Sequence, residues 1–531
     1  MTSSLVEILM AAAAEHAERP ALIVGDRQLR YRELMTEASR VAATLQSYPG
    51  DNNPFVAVLG ARDVATYTQL VGTLFAGRAY LPLEPEARAE RLAGLVDRAG
   101  TSWVLTTPAH AELAAAVCEL SERALTVVVT GGAIPAGLAL SAPHRLLGER
   151  DLRAPMDHEV PECDPDRPVY MLFTSGSTGQ PKGVVISDSN ARAFLAAMRE
   201  LMPLTEQDVV AQLFKLTFDP GTGVMLQAWA SGAALVVPPA DFGMLDEAHL
   251  IDAHGVTVWT AVPSRSILMR RLRQLRPGAY PSLRYVAHGG EALTRDVVEA
   301  WRAAAPHAVI VNQYGPTEAT VMVTQYVWDP QASPEESEGD RVPIGHPLPG
   351  VEVLVVDGEL REVPAGAEGE LLVAGPQVAR GYWRDAQRTA VAFVRLPGRA
   401  GVYYRTGDIV RRRGPGGPLH FLGRADDQIK VLGRRIELGE VEAVARKVLG
   451  VPHVAALGWP RTEGGYDGVE IVAAVSGARD VTADRVAMAA LLPPEAVPRR
   501  VHMVDELPLS SNGKIDRRAL EVLLSGDRGN G

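Results

Sequence analysis

The stretch that most restricts how this chain can fold is Tyr170-Met171-Leu172-Phe173-Thr174-Ser175-Gly176-Ser177-Thr178-Gly179-Gln180-Pro181-Lys182-Gly183-Val184-Val185-Ile186. Its apolar start, Tyr170 to Phe173, and its apolar end, Val184 to Ile186, read as two buried strands. The polar, glycine-rich residues between them must then form a tight loop at a sheet edge. Such a loop can cradle a phosphate. Thr174, Ser175, Ser177 and Thr178 carry hydroxyls that can donate to phosphate oxygens, Gly176 and Gly179 let backbone N–H groups approach, and Lys182 adds a positive charge. Pro181 limits how far the loop can relax. A hairpin turn rich in Ser and Gly has the same look in isolation, so the rest of the chain must decide. No Gly-Lys-[Ser/Thr] triplet stands at P-loop spacing, which disfavours an ordinary Walker-type NTPase.

A chain of 531 residues exceeds one hydrophobic core and implies roughly two to four structural units. With 47% hydrophobic and 22% charged residues it has the composition of a globular protein. A formal net charge of −11 argues against nucleic acid or an anionic membrane as the main partner, so any anionic substrate must be met by local positive groups. The only cysteines, Cys118 and Cys163, give neither a disulfide framework nor a cysteine zinc site, and the histidines show no H-E-x-x-H spacing. Met1-Thr2-Ser3-Ser4 lacks the basic and apolar regions of a leader, and no apolar run reaches membrane-spanning length; a reducing cytoplasm is the expected location.

Apolar positions over residues 5 to 18 and from Tyr31 to Leu45 predict helices, with a strand and hairpin turn between them at Ala21-Leu22-Ile23-Val24 and Gly25-Asp26. Phe55 to Leu59 predicts a buried strand and Val64 to Phe75 the helix after it. The pattern of short strand and longer periodic stretch returns at Val209 to Pro238, Val256 to Ala261 and Leu283 to Ala287. Alternation of this kind predicts layered α/β structure. Composition shifts at Arg411-Arg412-Arg413-Gly414-Pro415-Gly416-Gly417-Pro418 and again at Gly423-Arg424-Ala425-Asp426-Asp427, where a domain boundary is placed.

Four further segments carry chemistry. Asn312-Gln313-Tyr314-Gly315-Pro316-Thr317-Glu318 sets an aromatic ring beside a Gly-Pro turn, a flat face for a purine, followed by a hydroxyl and a carboxylate suited to a magnesium-bound phosphate. Tyr404-Arg405-Thr406-Gly407-Asp408 puts a carboxylate after a glycine turn, where it can accept from both hydroxyls of a ribose. Gly423 to Leu438 reads as a charged interdomain linker. Leu507-Pro508-Leu509-Ser510-Ser511-Asn512-Gly513-Lys514-Ile515-Asp516-Arg517 lifts Lys514 on an Asn-Gly turn. Each alone is also a turn, a linker or a solvated lysine.

Taken in order over roughly residues 20 to 520, these segments and the hydroxyl loop closely resemble the signatures of the adenylate-forming superfamily. That family includes acyl-CoA synthetases, luciferases and the adenylation domains of nonribosomal peptide synthetases. Ala76 to Pro85, Ile344 to Pro347 and Gly369 to Pro376 with Gly381-Tyr382-Trp383 resemble its scaffold segments. The resemblance implies an α/β fold with a large N-terminal domain of layered α/β subdomains, residues 1–425, and a small, mobile α+β C-terminal lid domain, residues 426–531, turning about a hinge at Asp426. It implies ATP and Mg2+. The phosphates fall to Thr174, Ser175, Gly176, Ser177, Thr178, Gly179 and Lys182, with Gly289, Gly290 and Thr317 also in the ATP set. Asn312 would meet the adenine edge, Tyr314 stack on the ring, Asp408 hold the ribose with Arg424 nearby, and Glu318 bind magnesium. Lys514, Glu318 and Thr174 form the implied catalytic set.

Lys215-Leu216-Thr217-Phe218-Asp219-Pro220-Gly221-Thr222 matches the place where amino-acid-activating members carry Phe-Asp-x-Ser, the Asp holding the substrate's α-ammonium. Gly221 departs from the usual serine. The family's pocket positions transfer to Asp219, Pro220, Gly223, Thr260, Val286, His288, Gln313, Val321 and Met322, with Lys514 at the carboxylate. His288 and Gln313 can hydrogen-bond a polar side chain, although a histidine is equally well satisfied by neighbouring backbone. No Gly-Gly-x-Ser carrier motif follows Lys514, and no His-His-x-x-x-Asp-Gly condensation motif occurs. The resemblance thus implies a stand-alone nonribosomal peptide synthetase-type adenylation enzyme. It would activate an α-amino acid with a small or polar side chain and load it on a separate phosphopantetheinyl carrier protein. The alternatives are an acyl-CoA ligase for an organic acid and an inactive nucleotide-binding homologue.

Replacing Lys514 by Ala is expected to lower adenylate formation by about two orders of magnitude or more, because the lost charge-assisted contact is made mainly in the transition state. Thiol transfer from supplied aminoacyl-AMP should survive far better. Both half-reactions are measured on one preparation, and equal loss in the two would assign Lys514 a structural role.

Overall fold

The computed structural model describes residues 3–48, 53–155, 162–175, 180–238, 246–426, 428–431, 433–451, 453–462, 465–474, 481–504, 507–508 and 517–526. It divides into two compact units. The first comprises Met1–Pro85, Leu92–Phe173 and Gly183–Ala425; the second comprises Glu86–Arg91, Thr174–Lys182 and Asp426–Gly531.

Three sheets build the first unit. A seven-stranded sheet runs in the order Arg145–Leu147, Thr126–Val129, Trp103–Thr106, Phe55–Leu59, Ala79–Leu83, Pro168–Thr174 and Lys182–Ser187. Its central strands pair in parallel. Parallel strands are covered on both faces, which is why Phe55–Leu59 is buried at every residue and reads as an unbroken apolar run. The following helix, Val64–Phe75, starts where the Asp63 carboxylate accepts from the Thr66 N–H at 2.8 Å. The last two strands are the two expected around the hydroxyl loop.

A nine-stranded sheet carries the residues of interest. Its order is His346–Pro347, Thr324–Val327, Val309–Tyr314, Tyr285–Gly289, Val258–Ala261, Val209–Ala211, Ala234–Val237, Pro20–Val24 and Arg27–Arg30. The strands from Pro20–Val24 to Val309–Tyr314 run parallel, and Thr324–Val327 returns antiparallel from a hairpin after Tyr314. One face packs on a core containing Val258, Tyr285, Ala287 and Val311; the other packs on a core containing Trp259, Val286, Trp301 and Ile310. A third, five-stranded sheet is built of Glu352–Val356, Glu368–Ala374, Tyr403–Arg412, Phe393–Val394 and Leu419–Arg424.

The second unit holds Arg434–Glu437, Gln428–Val431, Gly465–Tyr466 and Arg461–Thr462 in one sheet and Val454–Gly458, Val469–Ala474 and Val501–Val504 in another. The helices Leu438–Leu449, Val481–Ala489 and Arg517–Gly526 accompany them, an α+β arrangement. No helix among the described residues is long and apolar enough to cross a membrane.

Gly345 joins two sheets of the first unit. Ile344 N–H donates to the Leu419 carbonyl at 2.8 Å and Leu419 N–H donates back to Gly345 at 2.8 Å. At Gly345 φ is +86°, and an added Cβ would stand 2.0 Å from the Gln325 carbonyl oxygen. A Gly345→Ala substitution must therefore part the strand from its neighbour, and is expected to cost about 2 kcal/mol or more. Thermal unfolding of the variant checks this; an unchanged midpoint would show that the joint yields without cost.

Candidate nucleotide and substrate site

Tyr314 ends its strand with its ring buried, and its hydroxyl donates to the Asp408 carboxylate. Asp408 lies on Tyr403–Arg412, directly opposite Arg424 on the adjoining strand. Arg424 Nη1 donates to Asp408 Oδ1 at 2.6 Å, and the Asp408 N–H donates to the Thr406 hydroxyl at 3.0 Å. The Thr406 hydroxyl in turn donates to the Leu371 carbonyl at 2.7 Å. Burial first, and then the Asp408 charge, hold the Tyr314 phenol well above its ordinary range, so it stays a donor. Asn312, two residues earlier in the strand, shares the face of Tyr314. Its side-chain N–H groups donate to the Pro343 carbonyl at 2.8 Å and the Val342 carbonyl at 3.5 Å, so what it can offer an adenine edge is its oxygen.

Between Tyr314 and Val323 the chain makes a crowded loop. The Val323 N–H donates to the Tyr314 carbonyl at 2.7 Å, and a Cβ on Gly315 would lie 2.3 Å from Met322 Cα. Only glycine fits there. Glu318 sits in the short 3-10 turn Thr317–Ala319 with its side chain fully buried, and accepts from the Tyr382 hydroxyl at 2.9 Å. Next come two β-branched residues in the left-handed region, Thr320 at φ +59° and Val321 at φ +70°. The Met322 N–H donates to the Thr320 carbonyl at 2.9 Å, which makes Val321 the centre of a γ-turn of positive φ, the rare and strained form. Backbone strain of this sort costs on the order of 1–3 kcal/mol per residue.

Val321 packs where the substrate pocket is expected. The helix Asp219–Ala230 begins at buried Asp219, with Pro220 in its first turn. A Cβ on Gly223, one turn on, would meet the Val321 methyls at 2.9 and 3.1 Å and Phe194 Cζ at 3.2 Å. Gly221, the departure from serine, is explained by Lys215, whose carbonyl oxygen would lie 2.7 Å from a Cβ. Asp219 lies close enough to Tyr170 for its charge to add to burial and Tyr80 in raising that phenol's pKa. The Tyr80 and Tyr170 rings stack at 5.7 Å, and the Tyr80 hydroxyl donates to Thr222 at 3.3 Å.

The strand Tyr285–Gly289 corrects the transferred pocket. Val286 shares the core of Trp259 and Trp301, and His288 lies on that same face. Ala287 shares the core of Val321 and Phe194. The register pairs Thr260 with Ala287 and Gly289 with Gln313, so Ala287 and Gly289, rather than Val286 and His288, face the helix Asp219–Ala230. A slip of one residue in a strand reverses its face. His288 Nε2 lies 2.8 Å from Ser266 Oγ, which also accepts the Trp301 indole N–H at 2.8 Å. Gln313 Nε2 donates to Gln325 Oε1 at 2.9 Å, and Met322 packs half-buried beside the core of Val321.

In the second unit, the Thr174 hydroxyl oxygen is buried with no hydrogen-bond partner among the described residues. Ser175 Oγ donates to the Arg435 carbonyl at 2.9 Å and accepts from the Glu437 N–H at 3.2 Å. Lys182 Nζ stands 3.7 Å from Glu437 Oε1. Exposed Asp426 accepts from the Gln428 N–H at 3.3 Å. Gly176, Ser177, Thr178, Gly179 and Lys514 lie outside the described residues.

Residues 9–383 match the AMP-binding enzyme family. The chain belongs to that family of AMP-forming ligases. The dimodular nonribosomal peptide synthase of Bacillus subtilis (strain 168) is 34% identical over 524 residues, 97% of this chain. The chain spans only 21% of that relative's length. The Vibrio cholerae adenylation domain AlmE, crystallised with glycyl-adenosine-5′-phosphate, superposes with a TM-score of 0.87 at 27% identity over 99% of this chain and 98% of that one. Holo-PA1221, a nonribosomal peptide synthetase protein with adenylation and PCP domains bound to a vinylsulfonamide inhibitor, gives 0.79 at 26% identity, covering 97% and 84%.

In the first unit, Asp408 is positioned by Arg424 and Tyr314 as a carboxylate of the kind that can accept from ribose hydroxyls. In the second unit, Thr174 has a buried hydroxyl without another use among the described residues. Glu318 has no further pair of His, Cys, Asp or Glu side chains around it that could complete a metal site among the described residues. A metal held by Glu318 would take its remaining oxygens from phosphate and water, the usual arrangement for magnesium.

His288 gives a test of its structural role. Burial holds its imidazole down at about 3, against the ordinary 6.5 of the unfolded chain. Its stabilising effect is therefore complete at neutral pH and falls as pH drops below about 6.5, by up to roughly 1.4 kcal/mol per unit. Between pH 7 and pH 5 the native chain is expected to lose roughly 2 kcal/mol more stability than His288→Gln. Urea unfolding of both at the two pH values checks this, and parallel losses would contradict it.

Proposed function

We propose that this chain activates a small α-amino acid. The substrate carboxylate attacks the α-phosphorus of ATP, the bond to the β-phosphate breaks, and aminoacyl-AMP and pyrophosphate form. The aminoacyl group then passes to the phosphopantetheine thiol of a carrier protein: a C–S bond forms, the acyl–phosphate C–O bond breaks and AMP leaves. The observation that carries this reading is the buried Asp219 carboxylate at the head of the helix whose next turn, at Gly223, is closed by Val321. The place of Asp219 in the chain matches the Asp by which amino-acid-activating members of the family hold the substrate's α-ammonium.

The small side chain follows from the same wall. Gly223 has the Val321 methyls and the Phe194 ring directly against it, so the helix offers no depth at that point. Support comes from the likeness to AlmE with its glycyl-adenylate, which makes glycine the first candidate. The likeness to PA1221, with its PCP domain, supports the carrier.

In this reading Tyr314 offers its ring to adenine, Asp408 accepts from the ribose hydroxyls, and Thr174 donates to a phosphate oxygen. Glu318 holds magnesium, which when bound neutralises phosphate charge. Lys514 donates to the oxygens on which charge develops. Catalysis is positioning and charge stabilisation, with no protein nucleophile.

ATP–pyrophosphate exchange against a panel of amino, aryl and fatty acids tests the proposal. Exchange should be strongest with glycine or another small α-amino acid, and Asp219→Ala should lower kcat/KM for it by roughly two to four orders of magnitude. A best substrate without an α-amine, unaffected by Asp219→Ala, would replace this reading with an acyl-CoA ligase. No exchange with any acid would leave an idle nucleotide-binding homologue.

A further inference from the structure

Within five residues the loop after Tyr314 presents both Glu318 and the Val321–Met322 wall, and it does so through two consecutive β-branched residues at positive φ. Nothing in Thr320 or Val321 favours that backbone, so something outside the loop must impose it.

The imposing group is Gln377, which follows the strand Glu368–Ala374. Its side chain is fully buried. Its Nε2 donates to the Met322 carbonyl at 2.7 Å and the Thr320 carbonyl at 3.3 Å, with the Ala319 carbonyl at 3.5 Å. These carbonyls flank the γ-turn on both sides. The backbone around Gln377 completes the grip: the Thr320 hydroxyl donates to the Gln377 carbonyl at 2.6 Å, and the Ala379 N–H donates to the Glu318 carbonyl at 2.8 Å. Residues 376–378 are themselves anchored, since Asn190 Nδ2 donates to the Pro376 carbonyl at 2.7 Å and the Val378 carbonyl at 3.1 Å. Asn190 is on the helix Asp188–Leu201, which also supplies Phe194 against Gly223. Gln377 Oε1 is buried with no partner among the described residues, so the side chain acts as a donor only.

We infer that Gln377 is a positioning residue that sets the metal carboxylate and the amino-acid wall together, so that magnesium dependence and amino-acid affinity are coupled through one side-chain amide. The inference rests on the roles proposed above for Glu318 and Val321. It also accounts for the residue type. Glutamate would set a carboxylate oxygen against three carbonyls, and leucine would fill the space without donating.

The test uses the full chain and compares native enzyme, Gln377→Leu, Gln377→Glu and the double variant Gln377→Leu with Thr320→Gly. In ATP–pyrophosphate exchange, Gln377→Leu should raise both the amino-acid KM and the magnesium concentration at half-saturation by about tenfold or more, and Gln377→Glu by more still. The KM for ATP should move less than either. Glycine at 320 tolerates positive φ, so the double variant should recover much of the loss. A residue that merely fills space would lower the melting temperature, leave both constants unchanged and gain nothing from Thr320→Gly; that result overturns the inference. So does a double variant that stays unfolded or as impaired as Gln377→Leu. Exchange in the native enzyme with unaltered constants in Gln377→Leu sinks the inference alone, whereas a native chain with no amino-acid-dependent exchange sinks the proposed function and the coupling with it.

Discussion

One backbone hydrogen bond, from the Val323 N–H to the Tyr314 carbonyl at 2.7 Å, closes the loop that carries Glu318 and Val321. The strand before it is held in parallel register by Tyr285–Gly289, and the strand after it returns antiparallel, so the loop's two ends cannot drift. In the closed loop Gly315 lies against Met322, and Thr320 and Val321 stand in the left-handed region. A relaxed loop would carry the same residues, but with the Glu318 carboxylate and the Val321 methyls free to turn. Strain that recurs at a site is tolerated where the surroundings over-determine it, and here Gln377, Ala379 and Tyr382 do so.

Charge is handled locally. The chain is acidic, at −11, and the first unit buries Asp219, Glu318 and Asp408 close to where an anionic nucleotide is proposed to bind. Asp408 is compensated by Arg424 and a phenol, and Glu318 receives the Tyr382 hydroxyl. Burying a carboxylate is costly unless its charge is met by a cation or by donated hydrogen bonds.

The two strands at either end of Tyr170 to Ile186 and the turn after Tyr314 were legible because glycine, proline and apolar runs report directly on local backbone, while the nearness of Arg424 to Asp408 was implied by the family resemblance. Other features were not. Tyr285, Val286, Ala287 and His288 are all buried, so the alternation that reveals a half-exposed strand is silent, and the choice of Val286 and His288 for the pocket fell on the wrong face. The parity shared with Thr260 and Gln313 was the available signal for Ala287. Gln377 left no trace, because its grip joins residues 55 to 58 positions apart and belongs to no motif. Gly221 was visible as a departure, but its reason, the Lys215 carbonyl, exists only in the folded chain.

The claim on which the account turns is that Asp219 reads a substrate ammonium while the carboxyl carbon is joined to AMP. Calorimetric titration with two nonhydrolysable sulfamoyl-adenosine analogues isolates it, one carrying the preferred amino acid and the other the same acyl group without its α-amine. The account predicts that the amine-bearing analogue binds about a hundredfold tighter or more, and that this preference collapses in Asp219→Ala. Equal affinity of the two analogues for the native chain would contradict it.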